Sequence, residues 1–339
     1  MTRVALISIV AVLAGLVATS GLAQRQVADL DYDTTIVHPA YTAQHPAVLF
    51  DEAHHNLHTA GGLYKPFVDL ITHDGYRVES NRKPFTKELL GPYTILLIAN
   101  ATGGQGGGSE AANPAFSAVE CQAVEAWVKE GGSFLFITDH YPYGAAAQTL
   151  AKRLGVGMSQ GQTLDPQNSI PGIPSRLIFA RENDLLGNHP INWGRGPSEQ
   201  ISRVVTYSGQ SLQGPRGSVA FLRLAETAVD RSQLDNSLMP AGGRAQGIAF
   251  IHGKGRVVVL GEGAVLSAQF DETGKSVGMN DEGTDNRQLA LNVMHWLSGL
   301  IPVNPRVADK KQGPSRRSPA SRKAKSRTSK PEPLQDNQP

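Results

Sequence analysis

Apolar and polar positions follow two periods along this chain, one typical of strands and one typical of helices. Short apolar runs bounded by glycine or polar residues predict strands, and apolar residues recurring every three or four positions predict helices. The run 93–99 is apolar almost throughout, as expected for a strand buried on both faces. The predicted strands are 47–50, 76–79, 93–99, 133–138, 218–224, 247–251 and 256–260, and the predicted helices are 62–74, 117–130, 144–154 and 286–297.

The order of these elements, strands alternating with helices, indicates the α/β class. We predict a flavodoxin-like, doubly wound, mostly parallel sheet with helices on both faces. The last two strands are an exception, because the short segment 252–255 between them is glycine-rich and predicts a hairpin turn.

The N-terminal residues have the composition of an export signal. Arg3 is followed by an apolar run over 4–16 and by the small-residue pattern Gly21-Leu22-Ala23. We therefore predict a signal peptide over 1–23 and a periplasmic or secreted protein. The alternative is an uncut membrane anchor, although the apolar run is shorter than the ~20 residues of a membrane-spanning helix.

The C-terminal residues 304–339 are predicted to be a disordered basic tail. Residues 309–339 carry nine Lys or Arg against three acids and no aromatic residue, so they cannot bury enough apolar surface to fold. Between the ends lie a lead segment, 24–44, and an α/β domain, 45–303, and residues 24–308 carry a net charge of −5. We expect a solvated tail with no dedicated partner, and the alternative is non-specific contact with anionic envelope surfaces. We expect no nucleic acid partner.

The single cysteine excludes an intramolecular disulfide and a cysteine-based zinc cluster. Cys121 lies at helical spacing within predicted helix 117–130, with no adjacent base to lower its pKa. We therefore interpret it as a packing residue and not as a nucleophile.

Polar and ionisable side chains follow four of the predicted strands. In a parallel sheet, the carboxyl ends of the strands meet at one edge, where α/β proteins bind their ligands. Two acids and three imidazoles within eight residues after the first strand are costly to crowd together unless they form a site. The candidates are Asp51, Glu52, His54, His55 and His58 after the first strand, Asn100 after the third, Asp139 and His140 after the fourth, and Glu262 after the last.

These side chains fit three kinds of site. Imidazole and carboxylate groups could bind a divalent metal, with His54, His58 and His140 as the ligands. Without a metal, Asp139 could orient His140, or Asp51 could orient His54, as a general base, with Glu52 or Glu262 as a general acid. A hydrolase could then use Ser211 or Ser267 as its nucleophile, although neither lies in a G-x-S-x-G motif. The third alternative is structural, with the same groups capping backbone N–H groups.

Two loops offer weaker candidates. The segment 159–200 is predicted to be long and irregular, and in it His189 and Arg195 could reach the cleft, with Arg195 holding an anionic or hydroxyl-rich substrate. Asn100 is a third candidate for substrate binding. The glycine-rich segment 103–108 lacks the features of a phosphate-binding loop and is interpreted as a lid or a linker.

The chain resembles the class I glutamine amidotransferase-like fold in three features. These are the order of its elements, Gly131-Gly132 before the strand 133–138, and the polar residues just after that strand. The resemblance covers roughly residues 45–300 and is closest to ThuA-like proteins and to exported bacterial domains of this fold. His140 stands where ThuA-like proteins tend to have a histidine. Thr138-Asp139-His140 stands where the amidotransferases carry a catalytic cysteine, which excludes glutaminase chemistry. The resemblance implies links to sugar metabolism.

We therefore expect an exported domain with a His and carboxylate cleft at the strand ends, acting as a hydrolase or modifier of saccharide or cell-envelope material. The alternative is a non-catalytic module of the same fold that binds a glycan or a protein. In either case the expected ligand is a small molecule or a glycan, and a divalent metal is the one cofactor considered.

Overall fold

The computed structural model describes residues 26–105 and 109–303. The predicted signal peptide, the basic tail and residues 106–108 of the glycine-rich segment lie outside these ranges, so those predictions stay as they are. Within the described ranges, no helix combines the length and the apolar composition needed to cross a membrane.

The described residues form six α-helices, eighteen strands and three short 3-10 turns. The helices are α1 Lys65–His73, α2 Lys87–Leu90, α3 Ala118–Glu130, α4 Tyr143–Arg153, α5 Pro190–Trp193 and α6 Asn286–Leu297. The strands are β1 Val27–Ala28, β2 Ala47–Asp51, β3 Arg77–Asn81, β4 Ile95–Ala99, β5 Ser133–Ile137, β6 Gly157–Met158, β7 Gln162–Leu164, β8 Ser169–Ile170, β9 Ile173–Ala180, β10 Arg203–Val205, β11 Leu212–Gln213, β12 Val219–Arg223, β13 Val229–Arg231, β14 Leu238–Pro240, β15 Ala245–His252, β16 Gly255–Leu260, β17 Ala268–Phe270 and β18 Ser276–Gly278.

The central sheet is mixed, which confirms the α/β class but not a mostly parallel sheet. Its order is β3-β2-β4-β5-β16-β15-β11-β6, with β12 also paired to β15. The strands from β3 to β16 run parallel, and the pairings beyond β16 are antiparallel. The change of direction arises at the β15–β16 hairpin, where His252 pairs with Gly255, as the sequence predicts.

Three smaller antiparallel sheets supplement the central one. They have the orders β1-β17-β18, β10-β9-β8 and β14-β13-β7. The prediction that 159–200 is irregular is therefore wrong, because this stretch contains β7, β8, β9 and α5. Strands of two or three residues are too short to show a period, and Pro174 interrupts the pattern of β9.

Two apolar cores explain why the parallel strands are apolar at successive positions. Side chains of β2, β4, β5 and β16 alternate between a core that includes α1 and α6 and a second core that includes α3 and α4. In β5, for example, Leu135 and Ile137 enter the first core, and Phe134 and Phe136 enter the second. Burial on both faces stabilises these strands and fixes where their carboxyl ends lie.

Candidate functional site

The four predicted strand ends lie at one edge of the central sheet, as the sequence predicts. Strands β2, β4, β5 and β16 are parallel neighbours. Their ends therefore bring four residues to one edge, namely Asp51, which closes β2, and Asn100, Asp139 and Glu262, which follow the other three strands. Their side chains nevertheless belong to two separate groups, a buried ion-pair cluster and a pocket.

The first group, the His54 cluster, consists of Asp51, His54 and Glu120. His54 Nδ1 lies 2.9 Å from Asp51 Oδ2, and His54 Nε2 lies 2.9 Å from Glu120 Oε1. The imidazole ring packs between Phe85 and Phe116, with ring centroids 4.9 and 4.7 Å away. Burial alone would lower the pKa of His54, but hydrogen bonds to Asp51 and Glu120, together with their charges, outweigh it and raise the pKa.

This arrangement favours the protonated form of His54 and a structural role for it. Both ring nitrogens are engaged by carboxylates, so the ring has no lone pair to offer to a metal or to a substrate proton. Glu120 was absent from the predicted site. Its signal in the sequence is the capping box that it forms with Ser117 at the start of α3, a pattern that predicts a helix start but not a histidine partner.

Glu52 and His55 lie outside the pocket. Glu52 Oε1 accepts hydrogen bonds from the Ala60 N–H and the Ser80 hydroxyl, and Glu52 Oε2 forms an ion pair with Arg82. His55 is exposed and has a φ of 48°, in the left-handed region. Glu52 therefore anchors the chain after β2, and His55 faces solvent.

The second group, which we term the acid pocket, is a cavity of about 220 Å³ at the ends of β5 and β16. It brings together His58, Asp139, His140 and Glu262, four of the predicted site residues. The other described residues that line it are Gln26, Leu57, Tyr143, Tyr207, Ser208, Ala264 and Gln269.

Asp139 is held by two neighbours. Its Oδ2 atom accepts hydrogen bonds from Asn100 Nδ2, at 3.0 Å, and from the Gly263 N–H, at 3.1 Å. Burial raises the pKa of Asp139, although the charge of His140 and these hydrogen bonds act in the opposite direction. Asn100 is fully buried and also accepts a hydrogen bond from the Asp139 N–H, so it supports the pocket from behind.

Gly263 permits this close approach. A Cβ atom at this position would lie 2.6 Å from His58 Cε1, 2.9 Å from Asn100 Nδ2 and 3.1 Å from Asp139 Oδ2. The site therefore needs the missing side chain, because any larger residue would push these three groups apart.

Glu262 is a buried acid. Its two carboxylate oxygens accept hydrogen bonds from the Ala264 N–H, at 2.7 Å, and the Val265 N–H, at 2.8 Å. Burial, followed by the charge of Asp139, raises the pKa of Glu262 to about 8 despite these backbone donors. Near neutral pH the carboxyl group consequently holds a proton that it can give up.

The two histidines of the pocket differ in their hydrogen bonds. His140 Nδ1 donates to the Tyr141 carbonyl, at 2.9 Å, which leaves Nε2 as the acceptor of the neutral ring. His58 is buried, and its Nδ1 atom has no hydrogen-bond partner among the described residues. Burial lowers the pKa of His58 to about 3, so this ring is neutral. Gln269 Oε1 likewise lacks a partner within the described ranges. Both residues line the acid pocket, and each of these atoms lacks the partner that a buried polar atom usually has.

The predicted metal triad is not assembled. His58 and His140 line the acid pocket, whereas His54 is enclosed by Asp51 and Glu120. Across residues 26–105 and 109–303, no group of three or more His, Cys, Asp or Glu side chains is arranged to hold a metal ion. The donor set therefore does not fit the metal form of the prediction.

The two loop candidates lie elsewhere in the fold. His189 Nδ1 accepts a hydrogen bond from the Ile191 N–H at the start of α5, and the ring packs on Trp296. Burial lowers the pKa of His189 to about 4, so the ring is neutral. Arg195 forms an ion pair with Glu199. Neither residue lines the acid pocket.

The serine candidates are also engaged elsewhere. Ser267 Oγ donates to the Ala264 carbonyl, and Ser211 Oγ donates to Asp230 Oδ2. The pocket instead contains Ser208, Tyr207 and Gln269, which the sequence analysis missed. These residues come from the antiparallel part of the chain, where no strand-end pattern marked them. Tyr143, which also lines the pocket, could have been found from the sequence, because it lies three residues after His140 in the segment that follows β5.

Comparisons with known proteins show likeness in fold alone. No protein-family model matches the chain, and no curated protein matches it by sequence. The mmIFT52 N-terminal domain is 14% identical, with a TM-score of 0.53 over 74% of this chain and 97% of that domain.

Structural neighbours also include ThuA-like proteins, at low sequence identity. The one from Bacteroides uniformis is 15% identical over 77% of this chain and 95% of its own length, with a TM-score of 0.39. The one from Parabacteroides merdae is 12% identical over 75% and 90%, with a TM-score of 0.41. Scores this low support no argument about the chain. The likeness to the mmIFT52 N-terminal domain concerns the fold, and the function is inferred from the residues of the site.

Proposed function

We propose that the acid pocket is an acid–base catalytic site for hydrolysis or modification of a saccharide or cell-envelope component. The observation that carries the proposal is the buried carboxyl group of Glu262, whose pKa burial raises to about 8, in the same small pocket as Asp139 and His140. The Nδ1 atom of His140 is engaged by the Tyr141 carbonyl, which leaves Nε2 to act as a base. A proton donor and a proton acceptor in one cavity are what general acid–base catalysis requires.

In the proposed reaction, the bond between the reacting carbon and the oxygen of the leaving group breaks, and Glu262 gives its proton to that oxygen. His140 Nε2 removes a proton from the attacking water, whose oxygen forms the new bond. Asp139 stabilises the positive charge that develops on the His140 ring, and Asn100 keeps Asp139 in place. Neutral His58 and Gln269 present unpaired polar atoms that can hold substrate hydroxyl groups.

We also propose that the central sheet is of the flavodoxin-like, doubly wound type and that the chain belongs with the ThuA-like branch of the amidotransferase-like fold. The two cores, one with α1 and α6 and the other with α3 and α4, support this proposal. So does His140 just after β5, in the place where the family resemblance calls for a histidine.

Export and envelope contacts remain part of the proposal. The N-terminal pattern 1–23 supports a periplasmic or secreted location, and the charge of residues 309–339 supports contact with anionic envelope surfaces. A pocket lined by polar groups supports a small-molecule or glycan ligand.

A non-catalytic binding module is the second candidate. The observation in its favour is that both oxygens of Glu262 accept backbone N–H groups, which is also how a purely structural carboxylate behaves. In that case, the same pocket would hold a glycan or a partner protein without turning it over.

Replacing His140 by alanine separates the two candidates. We expect turnover in a panel of esters, amides and glycosides by the wild type, and a loss of roughly 10²–10⁴-fold in His140→Ala, because the general base is removed. The matched control is His38→Ala, which changes an exposed histidine away from the pocket. Binding of a glycan without turnover of any substrate by the wild type would favour the module.

A further inference from the structure

A second and larger cavity adjoins the acid pocket. We term it the leucine groove, and its volume is about 630 Å³. The described residues that line it are Gln26, Val27, Ala28, Leu30, Leu57, Thr59, Gly61, Gly62, Leu63 and Glu272. Among them, Glu272 is the one charged side chain, so the groove offers a mainly apolar environment.

The apolar side chains of the groove are open to solvent. Leu30 is 70% exposed, Val27 is 53% exposed and Leu57 is 42% exposed. Contact of these side chains with water is unfavourable, so burying them under a ligand would release free energy. Apolar residues grouped in a concave surface are typical of a binding site.

The groove and the acid pocket share part of their lining. Leu57 and Gln26 line both cavities, and His58, the next residue after Leu57, lines the acid pocket. The shared residues place the two cavities side by side, so a ligand whose polar part lies in the acid pocket can extend past Leu57 into the groove.

The size of the groove favours a small-molecule chain over a protein. Ligand pockets commonly measure about 300–1,000 Å³, and the groove lies within that range. A stable protein interface buries about 800 Å² on each partner, which needs a broad surface and not a narrow concavity.

We propose that the substrate is an amphiphile, with a hydroxyl-bearing head in the acid pocket and a single alkyl or acyl chain in the leucine groove. This inference rests on the proposed function, which supplies the site for the head. It adds the alkyl or acyl chain of the substrate, which the acid pocket alone does not predict.

The test is calorimetric binding of n-hexyl, n-heptyl and n-octyl β-D-glucopyranoside below the concentrations at which they form micelles. We expect the Kd to fall about fourfold with each added methylene, the equivalent of about 0.8 kcal/mol per buried CH₂. Leu30→Ser is expected to weaken this dependence. Val37→Ser is the matched control, because Val37 is 81% exposed and lies outside the groove lining.

A second variant fills the groove. A Cβ atom on Gly61 meets nothing within 4 Å, and its φ lies outside the left-handed region, so Gly61→Phe is expected to fold. Gly61 lines the groove, so a phenylalanine ring at this position has room to enter it, and we expect the three glucosides to bind this variant with one common affinity.

Affinities that do not depend on chain length in the wild type would overturn the inference, as would equal effects of Leu30→Ser and Val37→Ser. A concentration-dependent dimer abolished by Leu30→Ser would also overturn it, in favour of a second copy of the chain. Failure of the proposed function can be told apart from failure of this inference. If turnover is unchanged in Glu262→Gln, Glu262 has no catalytic role, but the dependence of the Kd on alkyl chain length remains.

Discussion

Glu262→Gln is expected to lower kcat/KM by roughly 10²–10⁴-fold, because the amide keeps the shape of the side chain but cannot donate the proton that the leaving group requires. The wild type should also lose activity as pH rises above about 8, since the raised pKa keeps Glu262 protonated below that pH and not above it. The measurement is the pH dependence of kcat/KM on the best substrate of the panel.

The control for this variant is Glu282→Gln, which changes an exposed acid away from the pocket. It should retain the wild-type rate and the wild-type pH profile. A Glu262→Gln enzyme with full activity and an unchanged basic limb would show that another group supplies the proton, and the proposed mechanism would then be wrong.

His54→Ala is expected to have the largest effect on stability, lowering the free energy of unfolding by about 3–5 kcal/mol. The substitution leaves two buried carboxylates, Asp51 and Glu120, without the cation between them. It also removes the ring that packs between Phe85 and Phe116. Urea unfolding followed by tryptophan fluorescence measures this change.

The pH dependence of this effect follows from two pKa shifts. The pKa of His54 is raised above its ordinary 6.5, so its contribution is fully present below about pH 6.5 and is lost as pH rises through the folded-state value. Burial acts to raise the pKa of Glu120, but its hydrogen bonds to Ser117 and His54 lower it overall, so its contribution is lost as pH falls. The difference between wild type and variant should therefore be greatest between about pH 4.5 and 6.5.

The control is His55→Asn, because His55 is exposed and asparagine tolerates its left-handed backbone. Its free energy of unfolding should stay within about 0.5 kcal/mol of the wild type. A loss of similar size in both variants, or a loss that grows steadily above pH 8, would contradict the account of the His54 cluster.

The strands that carry the site were predictable because they are buried on both faces. Strands β4 and β5 appear in the sequence as apolar runs, and the side chains that follow them, Asn100 and Asp139, lie at one edge as expected. Burial in two cores leaves a periodicity signal along the chain, and parallel pairing then places the strand ends together.

The spacing of the histidines after β2 does not predict that they separate into different surroundings. His54 and His58 are four residues apart, but His55 between them has a left-handed backbone, and the two imidazoles enter different surroundings. His54 has one partner nearby in sequence, Asp51, and a second, Glu120, which is 66 residues away in sequence. Local patterns do not specify which distant carboxylate meets a given ring.

The remaining lining of the pocket depends on the antiparallel sheets. Tyr207 follows β10, and Gln269 lies in β17, a strand of three residues. Such short strands are held by tertiary contacts more than by their own pattern, so their residues reach the pocket without a signal in the sequence. His189 and Arg195 were misplaced for the same reason, since their segment folds into structure of its own.

The most direct measurement of the central claim is a carbon-13 NMR titration of the side-chain carboxyl groups of glutamate-labelled protein. The Glu262 resonance is assigned as the one that is present in the spectrum of the wild type and missing from that of Glu262→Gln. The account predicts that it titrates with a midpoint near 8, an apparent value that reflects its coupling to Asp139. A midpoint below about 5, in the range of an ordinary glutamate, would show that Glu262 is ionised at neutral pH and would contradict its role as the acid.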